Sequence, residues 1–324
     1  MQLCLDALKR QSYPPELLEI IVVDDESTDD TAHLVESIAE SWNQDPGAPG
    51  LRLIRQSWRG AGAARNRGAQ VASGSVLLFT DADCEPTVDW VSEMMLPFQD
   101  PDVAVVAGGY LTRQESPIAK LAQAEFEERY RFVSKHHYID IAFTHSAAFR
   151  KELFITAGGF DERMPNNADD LELSYRIAMA GHRIVFAPKG LVYHQHPAAI
   201  WDYLRKKFGR GYWRTVVFKQ YPGKLVRDSY TPFLLKFQIL LAGAAGAILA
   251  MSIFGFDRLL PLAVTLLLIL LATGLPFAFR LRGSALIKFM APFFLAAQAF
   301  AIGTGVLFGA FDNIEHYETG GRRH

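Results

Sequence analysis

Short continuous apolar runs alternate with stretches of helical periodicity along the first part of the chain. Ile20-Ile21-Val22-Val23, Leu51-Arg52-Leu53-Ile54, Ser75 to Thr80, Val103 to Ala107 and Ile184 to Phe186 read as strands. Between them Leu3 to Gln11, Ser27 to Ser41, Ala63 to Ala72, Val88 to Phe98, Ile118 to Lys135 and residues 169 to 180 read as helices, the second capped by Thr28 or Asp29. Phe143 to Phe149 reads as a strand or turn, and Lys151 to Thr156 as a short helix stopped by Gly158-Gly159. Such alternation predicts an α/β domain with a mostly parallel sheet covered by helices. The chain opens on a helix and only then reaches its first strand at Glu19, so an upstream strand is expected to be missing.

The pattern changes at Thr231. Three long apolar stretches follow, about 232–254, 259–279 and 287–311, each near the roughly 20 residues that a membrane helix needs. The expected organisation is therefore an α/β domain over 1–197, a basic segment over 198–230 and a membrane region over 231–324. In the basic segment Trp201, Leu204, Phe208, Tyr212 and Val216 recur at helical spacing beside Arg205, Lys206, Lys207, Arg210 and Arg214, the pattern of an amphipathic helix lying on anionic lipid.

Composition adds three constraints. Half of the 324 residues are hydrophobic and the formal charge is −2, which gives no reason to expect nucleic acid as a partner. Only Cys4 and Cys84 are present, so no disulfide framework is expected and a reducing compartment is the simpler setting. Arg280, Arg282 and Lys288 lie between the second and third apolar stretches, and many cations precede the first, which puts the N-terminal domain on the cytoplasmic face of a plasma or inner membrane. Arg322 and Arg323, on the far side, run against that asymmetry.

The chemistry-bearing residues fall where strands end. Asp81-Ala82-Asp83 follows the run ending at Thr80, and in open α/β sheets ligands bind at that edge. Two carboxylates one residue apart suit a divalent ion shared with substrate phosphates, or else cap the helix that begins near Pro86. Asp24 and Asp25 close another strand and offer acceptors for a nucleobase or ribose, while Ser27, Thr28 and Asp29 suit the cap of the next helix. Arg59 to Gly68 is small, basic and set at a strand-to-helix junction, where Arg65 can neutralise anionic charge. Cys84 reads as a packing residue.

Taken in order, Val23-Asp24-Asp25 with Ser27-Thr28-Asp29, Gly60 to Gly68 with Ala64-Arg65-Asn66, Asp81-Ala82-Asp83, Gly158-Gly159-Phe160-Asp161 and Asp169-Asp170-Leu171-Glu172-Leu173 resemble the family 2 glycosyltransferases. The resemblance covers roughly residues 1 to 197. It implies a GT-A fold and transfer, with inversion, of a sugar from a UDP- or GDP-type nucleotide diphosphate sugar. Asp24 would contact the base, Asp81 the ribose or sugar, and Asp83 a Mg²⁺ or Mn²⁺ ion completed by His194. Asp170, beside Asp169 in the acidic pair, would be the general base. His145 or Ser146 would touch the acceptor, which is expected to be lipid-linked or membrane-proximal, as for a cell-envelope polysaccharide or glycolipid. Polymerising members carry Gln-x-x-Arg-Trp where this chain has Lys207-Phe208-Gly209-Arg210-Gly211; only Arg210 matches, and it would face the leaving diphosphate. The alternative, fed by the missing strand, is a catalytically inactive binding or scaffold protein.

Overall fold

The computed structural model describes residues 1–42, 44–164, 168–226 and 228–312; Arg322 and Arg323 lie outside them. In chain order the elements are α1 Gln2–Lys9, β1 Glu19–Asp25, α2 Thr31–Trp42, β2 Gly50–Gln56, α3 Ala61–Val71, β3 Val76–Phe79, β4 Glu85–Pro86, α4 Trp90–Met95, β5 Val103–Leu111, α5 Pro117–Val133, β6 Ala147–Arg150, α6 Lys151–Thr156, α7 Asp169–Met179 and β7 Arg183–Tyr193. They continue with α8 Ile200–Gln220, α9 Pro222–Val226, α10 Phe233–Ile253, α11 Leu260–Thr273, α12 Leu275–Arg280 and α13 Ala285–Ala310. The chain divides into two compact units, one of residues 1–113 and 133–195, the other of 114–132 and 196–316.

In the first unit β1 and β2 form a parallel pair, and a five-stranded sheet runs in the order β3-β6-β5-β7-β4. This sheet is mixed: β5 and β7 are parallel, whereas β6 runs antiparallel to both β3 and β5, and β4 antiparallel to β7. The apolar run Ser75 to Thr80 reads as a parallel strand, yet Val76–Phe79 pairs antiparallel with β6. A continuous apolar run reports burial on two faces and carries no information on the direction of its partner. β5 is buried along nearly its whole length, with Val105 and Val106 sealed completely. Beside it, Phe79, Phe149, Phe154 and Phe160 form a cluster of edge-to-face and tilted rings at 5.2–5.7 Å. Such pairs add about 0.5–1.5 kcal/mol each beyond their buried area. The cluster joins the end of β3 to β6, α6 and the loop entering α7. Leu5 of α1, Val35 and Trp42 of α2 and Leu51 of β2 make a separate core over the two-stranded sheet. α2 starts at Thr31, four residues later than its sequence suggests, because Asp29 accepts from the Thr31 N–H as an outside cap and Asp24 draws back the Ser27 N–H.

In the second unit three helical stretches, Phe233–Ile253, Asp257–Arg280 and Ala285–Ala310, are long and apolar enough to cross a membrane. The middle one breaks at Gly274 into α11 and α12, where a side chain would press on the backbone of Pro292. α8 lies tightly along α13. A Cβ at Gly305 or Gly309 would collide with the carbonyl oxygens of Phe208 and Tyr212, and one at Gly211 with that of Ile302. Small residues at the crossing let the two backbones touch. The face of α8 that meets the rest of the unit includes Tyr203, Lys207 and Gly211. Lys207, read from the sequence as one of the basic residues of a helix lying on anionic lipid, is buried against Glu125 of α5.

Candidate active site

Arg65 organises the site. It stands on the first turns of α3 and donates through one nitrogen to Asp81 Oδ1 and through the other to Asp169 Oδ2, each at 3.0 Å. The acidic triplet after β3 and the acidic pair opening α7, 88 positions apart from Asp81 to Asp169 (169 − 81), thereby meet at one guanidinium. Burial opposes the charge on Arg65, but the carboxylates of Asp169, Asp81 and Asp170 outweigh it and hold the guanidinium above its ordinary value. Asp169 is 1% exposed, and its Oδ1 has no hydrogen-bond partner in the structure.

Asn66, the next residue, locks a second junction. Its side chain accepts from the Phe160 N–H at 2.8 Å and donates to the Phe160 carbonyl at 2.9 Å. Gly159 must be glycine for two reasons: its φ is +67°, and a Cβ there would collide with Asn66 Oδ1. Ala64-Arg65-Asn66 and Gly158-Gly159-Phe160-Asp161 are therefore two halves of one contact, and the helix that carries Arg65 is pinned to the loop that leads into Asp169.

Asp170 is half-buried, and its Oδ2 accepts from the Thr144 N–H at 3.4 Å. Burial first, and the adjacent Asp169 carboxylate second, push its carboxyl up to about 7. At that value it takes and releases protons near neutrality, as a general base requires.

Asp83, Cys84 and His194 form a second cluster. Asp83 Oδ2 lies 3.9 Å from His194 Nδ1, and Cys84 Sγ lies 3.8 Å from Asp83 Oδ1 and 4.0 Å from that same Nδ1. The Asp83 side chain is 69% exposed while the His194 ring is largely covered. His194 stacks on Tyr110 at 4.7 Å, and Tyr110 stacks on His145 at 3.6 Å, so β5 fixes the plane of the imidazole. A carboxylate and an imidazole nitrogen converging at this range are a donor set that would suit a divalent cation. Burial keeps Cys84 in its thiol form, well above the ordinary thiol range.

The remaining expected residues fall in different surroundings. Asp24 is buried at the end of β1, where its Oδ1 accepts from the Ser27 N–H at 3.1 Å. Asp25 spends both oxygens on the chain itself: Gln56 Nε2, the Arg59 N–H and the Gly60 N–H donate to it at 2.7–2.9 Å. It ties β1 and β2 to the start of α3. Ser146, expected to touch an acceptor, is sealed in the core; Trp90 Nε1 donates to its hydroxyl at 2.8 Å and the hydroxyl donates to Gly190 O at 3.0 Å. In this arrangement the hydroxyl is engaged within the fold and not exposed. His145 is buried between Phe143 and Tyr110 rather than open on a pocket wall. Arg210 belongs to the second unit and stacks over Phe126 at 5.1 Å. Tyr110, Asn66 and the Thr144 amide escaped notice in the sequence. Asn66 lay inside a quoted motif and Thr144 inside the segment expected to shape the acceptor pocket, each without a role, and nothing local marked Tyr110.

The family model described as glycosyl transferase family 2 matches residues 1–158. The pre-mycofactocin glycosyltransferase of Mycobacterium tuberculosis is 28% identical over 216 residues, which are 64% of this chain and 44% of that protein. Glycosyltransferase AglE of Haloferax volcanii is 28% identical over 211 residues, 64% of this chain and 66% of AglE. The chain therefore spans less than half of the first relative and about two thirds of the second. Among solved structures, the mannosyltransferase PcManGT of Pyrobaculum calidifontis, in complex with GDP-Man and Mn²⁺, superposes with a TM-score of 0.61 at 25% identity, covering 95% of this chain and 82% of that one. The family match thus covers residues 1–158, just under half of the chain, and the fold is GT-A.

Proposed function

We propose that the protein is an inverting glycosyltransferase that moves a sugar from a nucleotide diphosphate sugar to a lipid-linked or membrane-proximal acceptor at the cytoplasmic face. The observation that carries the reading is Arg65 bridging Asp81 and Asp169, since it gathers the donor-side and base-side carboxylates into one site.

Asp170 takes the proton from the acceptor hydroxyl as that oxygen attacks the anomeric carbon, opposite the departing diphosphate. Burial pushes the Asp169 carboxyl up while its pairing with Arg65 opposes that, and its charge beside Asp170 makes the latter a stronger base. Asp81, held by Arg65, faces the ribose or sugar, and Asp24 the base. Asp83 and His194 would hold a divalent ion, Mn²⁺ or Mg²⁺, which supplies positive charge to the donor diphosphate as the glycosidic bond breaks. Support for such an ion comes from the convergence of Asp83 and His194 and from the Mn²⁺ and GDP-Man in the PcManGT complex. The resemblance alone gives Arg210 the leaving diphosphate. The three apolar helices and the cations between the second and third favour a membrane acceptor and a cytoplasmic site.

The test is transfer from a panel of UDP- and GDP-sugars to membrane lipid extracts with Mn²⁺ or Mg²⁺. Asp83→Ala is expected to abolish measurable turnover, and Asp170→Asn to lower it by about 10²- to 10⁴-fold. Full transfer by both variants would remove the assignments.

A further inference from the structure

Cys84 is the one member of the second cluster that the proposed reaction leaves without a task. Its sulfur stands opposite the edge between Asp83 and His194, and all three donor atoms lie within 4.8 Å of one another. Zinc bonds of about 2.3 Å to sulfur and about 2.0 Å to nitrogen and oxygen, at tetrahedral angles, place neighbouring donors about 3.3–3.6 Å apart. Cys84 Sγ stands 4.0 Å from His194 Nδ1, and Asp83 turns Oδ1 to the sulfur at 3.8 Å and Oδ2 to the imidazole at 3.9 Å, so a rotation of the exposed carboxylate that centres one oxygen, with a small inward shift of the other donors, brings the set to bonding range. Two of the three are already held. The Cys84 N–H donates to the Asp81 carbonyl at 2.9 Å, and the His194 N–H donates to Leu111 O at 2.9 Å while its ring rests on Tyr110. Mg²⁺ and Mn²⁺ favour oxygen donors and gain little from sulfur, whereas a thiolate beside an imidazole and a carboxylate selects zinc-like ions.

We propose that Asp83, Cys84 and His194 form a three-donor site for a thiophilic divalent ion, Zn²⁺ foremost, which excludes the harder ion and shuts off sugar transfer. The inference rests on the reading of Asp83 and His194 as ligands of a divalent ion and adds the sulfur to them. On binding, the Cys84 S–H bond breaks, its proton passes to solvent and a metal–sulfur bond forms, with no change of oxidation state. The fourth position of a tetrahedral ion faces outward to water.

Co²⁺ titrated into the detergent-purified full chain reports the sulfur directly, because a Co²⁺–thiolate bond gives a charge-transfer band in the near ultraviolet that oxygen and nitrogen donors lack. The expected result is such a band in the wild type, bleached by one equivalent of Zn²⁺, and retained in Cys4→Ser. Cys84→Ser is expected to lose the band and to weaken Zn²⁺ binding about tenfold or more, while Mn²⁺ affinity, followed by electron paramagnetic resonance, changes by less than about threefold. A wild-type protein that binds Mn²⁺ but shows no band with Co²⁺ overturns this inference and leaves the divalent-ion reading standing. If neither ion binds, both fall together.

Discussion

Asp170 and Asp169 stand side by side at the start of α7 in different surroundings. Asp169 faces Arg65 and is paired; Asp170 faces the Thr144 amide and is pushed up by burial and by its neighbour's charge. If Asp170 is the base, it acts deprotonated, so kcat/KM is expected to climb about tenfold per pH unit below about 7 and to level above it. Asp170→Asn removes that limb and lowers kcat by about 10²- to 10⁴-fold, with donor binding kept, as a pH-rate profile and a donor titration will show. Asn66→Ala strips the clamp on the Phe160 backbone and leaves two polar groups unsatisfied, a loss of about 1–3 kcal/mol measurable by denaturant unfolding. The D-x-D carboxylates were legible as candidate ligands from their place after a strand. The Asn66 clamp was not, since its partner Phe160 is 94 positions away.

At the scale of elements, α5, α8 and α13 share a buried polar knot within the second unit. Glu125 accepts from Lys207 Nζ at 2.6 Å and pairs with Arg129, while Tyr203 donates to Gln298 Oε1 at 2.6 Å and Gln298 reaches Glu125 at 3.4 Å. Burial opposes the charge on Glu125, but Arg129 and Lys207 outweigh it and hold the carboxyl far below its usual range. Glu125→Ala leaves two buried cations without their partner and is expected to cost about 3–5 kcal/mol, read as a lowered unfolding midpoint in detergent. The crossing of α8 and α13 gives a sharper contrast. Gly305→Ala drives a methyl into the Phe208 carbonyl and is expected to destabilise by about 1–3 kcal/mol, whereas Gly303→Ala meets Ile239 at ordinary contact distance and stays near neutral in the same assay. The sequence showed the apolar repeat of α8 but set its basic residues against anionic lipid. Lys207 is inside because Glu125 and the faces of Phe126 and Tyr203 replace the water it loses.

For the whole molecule, orientation in the membrane is the decisive test of the proposed function. Cys4 and Cys84 are both buried, so a new surface thiol stands out against a low background. Arg282→Cys, between the second and third spans, is expected to react with an impermeant maleimide only when the cytoplasmic face is open, and Asp257→Cys only from the opposite side. The reverse pattern would place the catalytic unit outside and remove the cytoplasmic reading.

The alternation of strands and helices, the three membrane-length stretches and the carboxylates at strand ends were all present in the sequence, because each depends on neighbours a few positions apart. Tertiary structure decided what depends on distant partners. It turned β3 antiparallel to β6, withdrew Ser146 into the core and joined Asp81 to Asp169 through Arg65. It also set Cys84 beside His194, 110 positions away, and so made a residue that reads as packing into a candidate metal donor. Local periodicity records which side of an element is buried. Which groups meet there is fixed only when the elements pack.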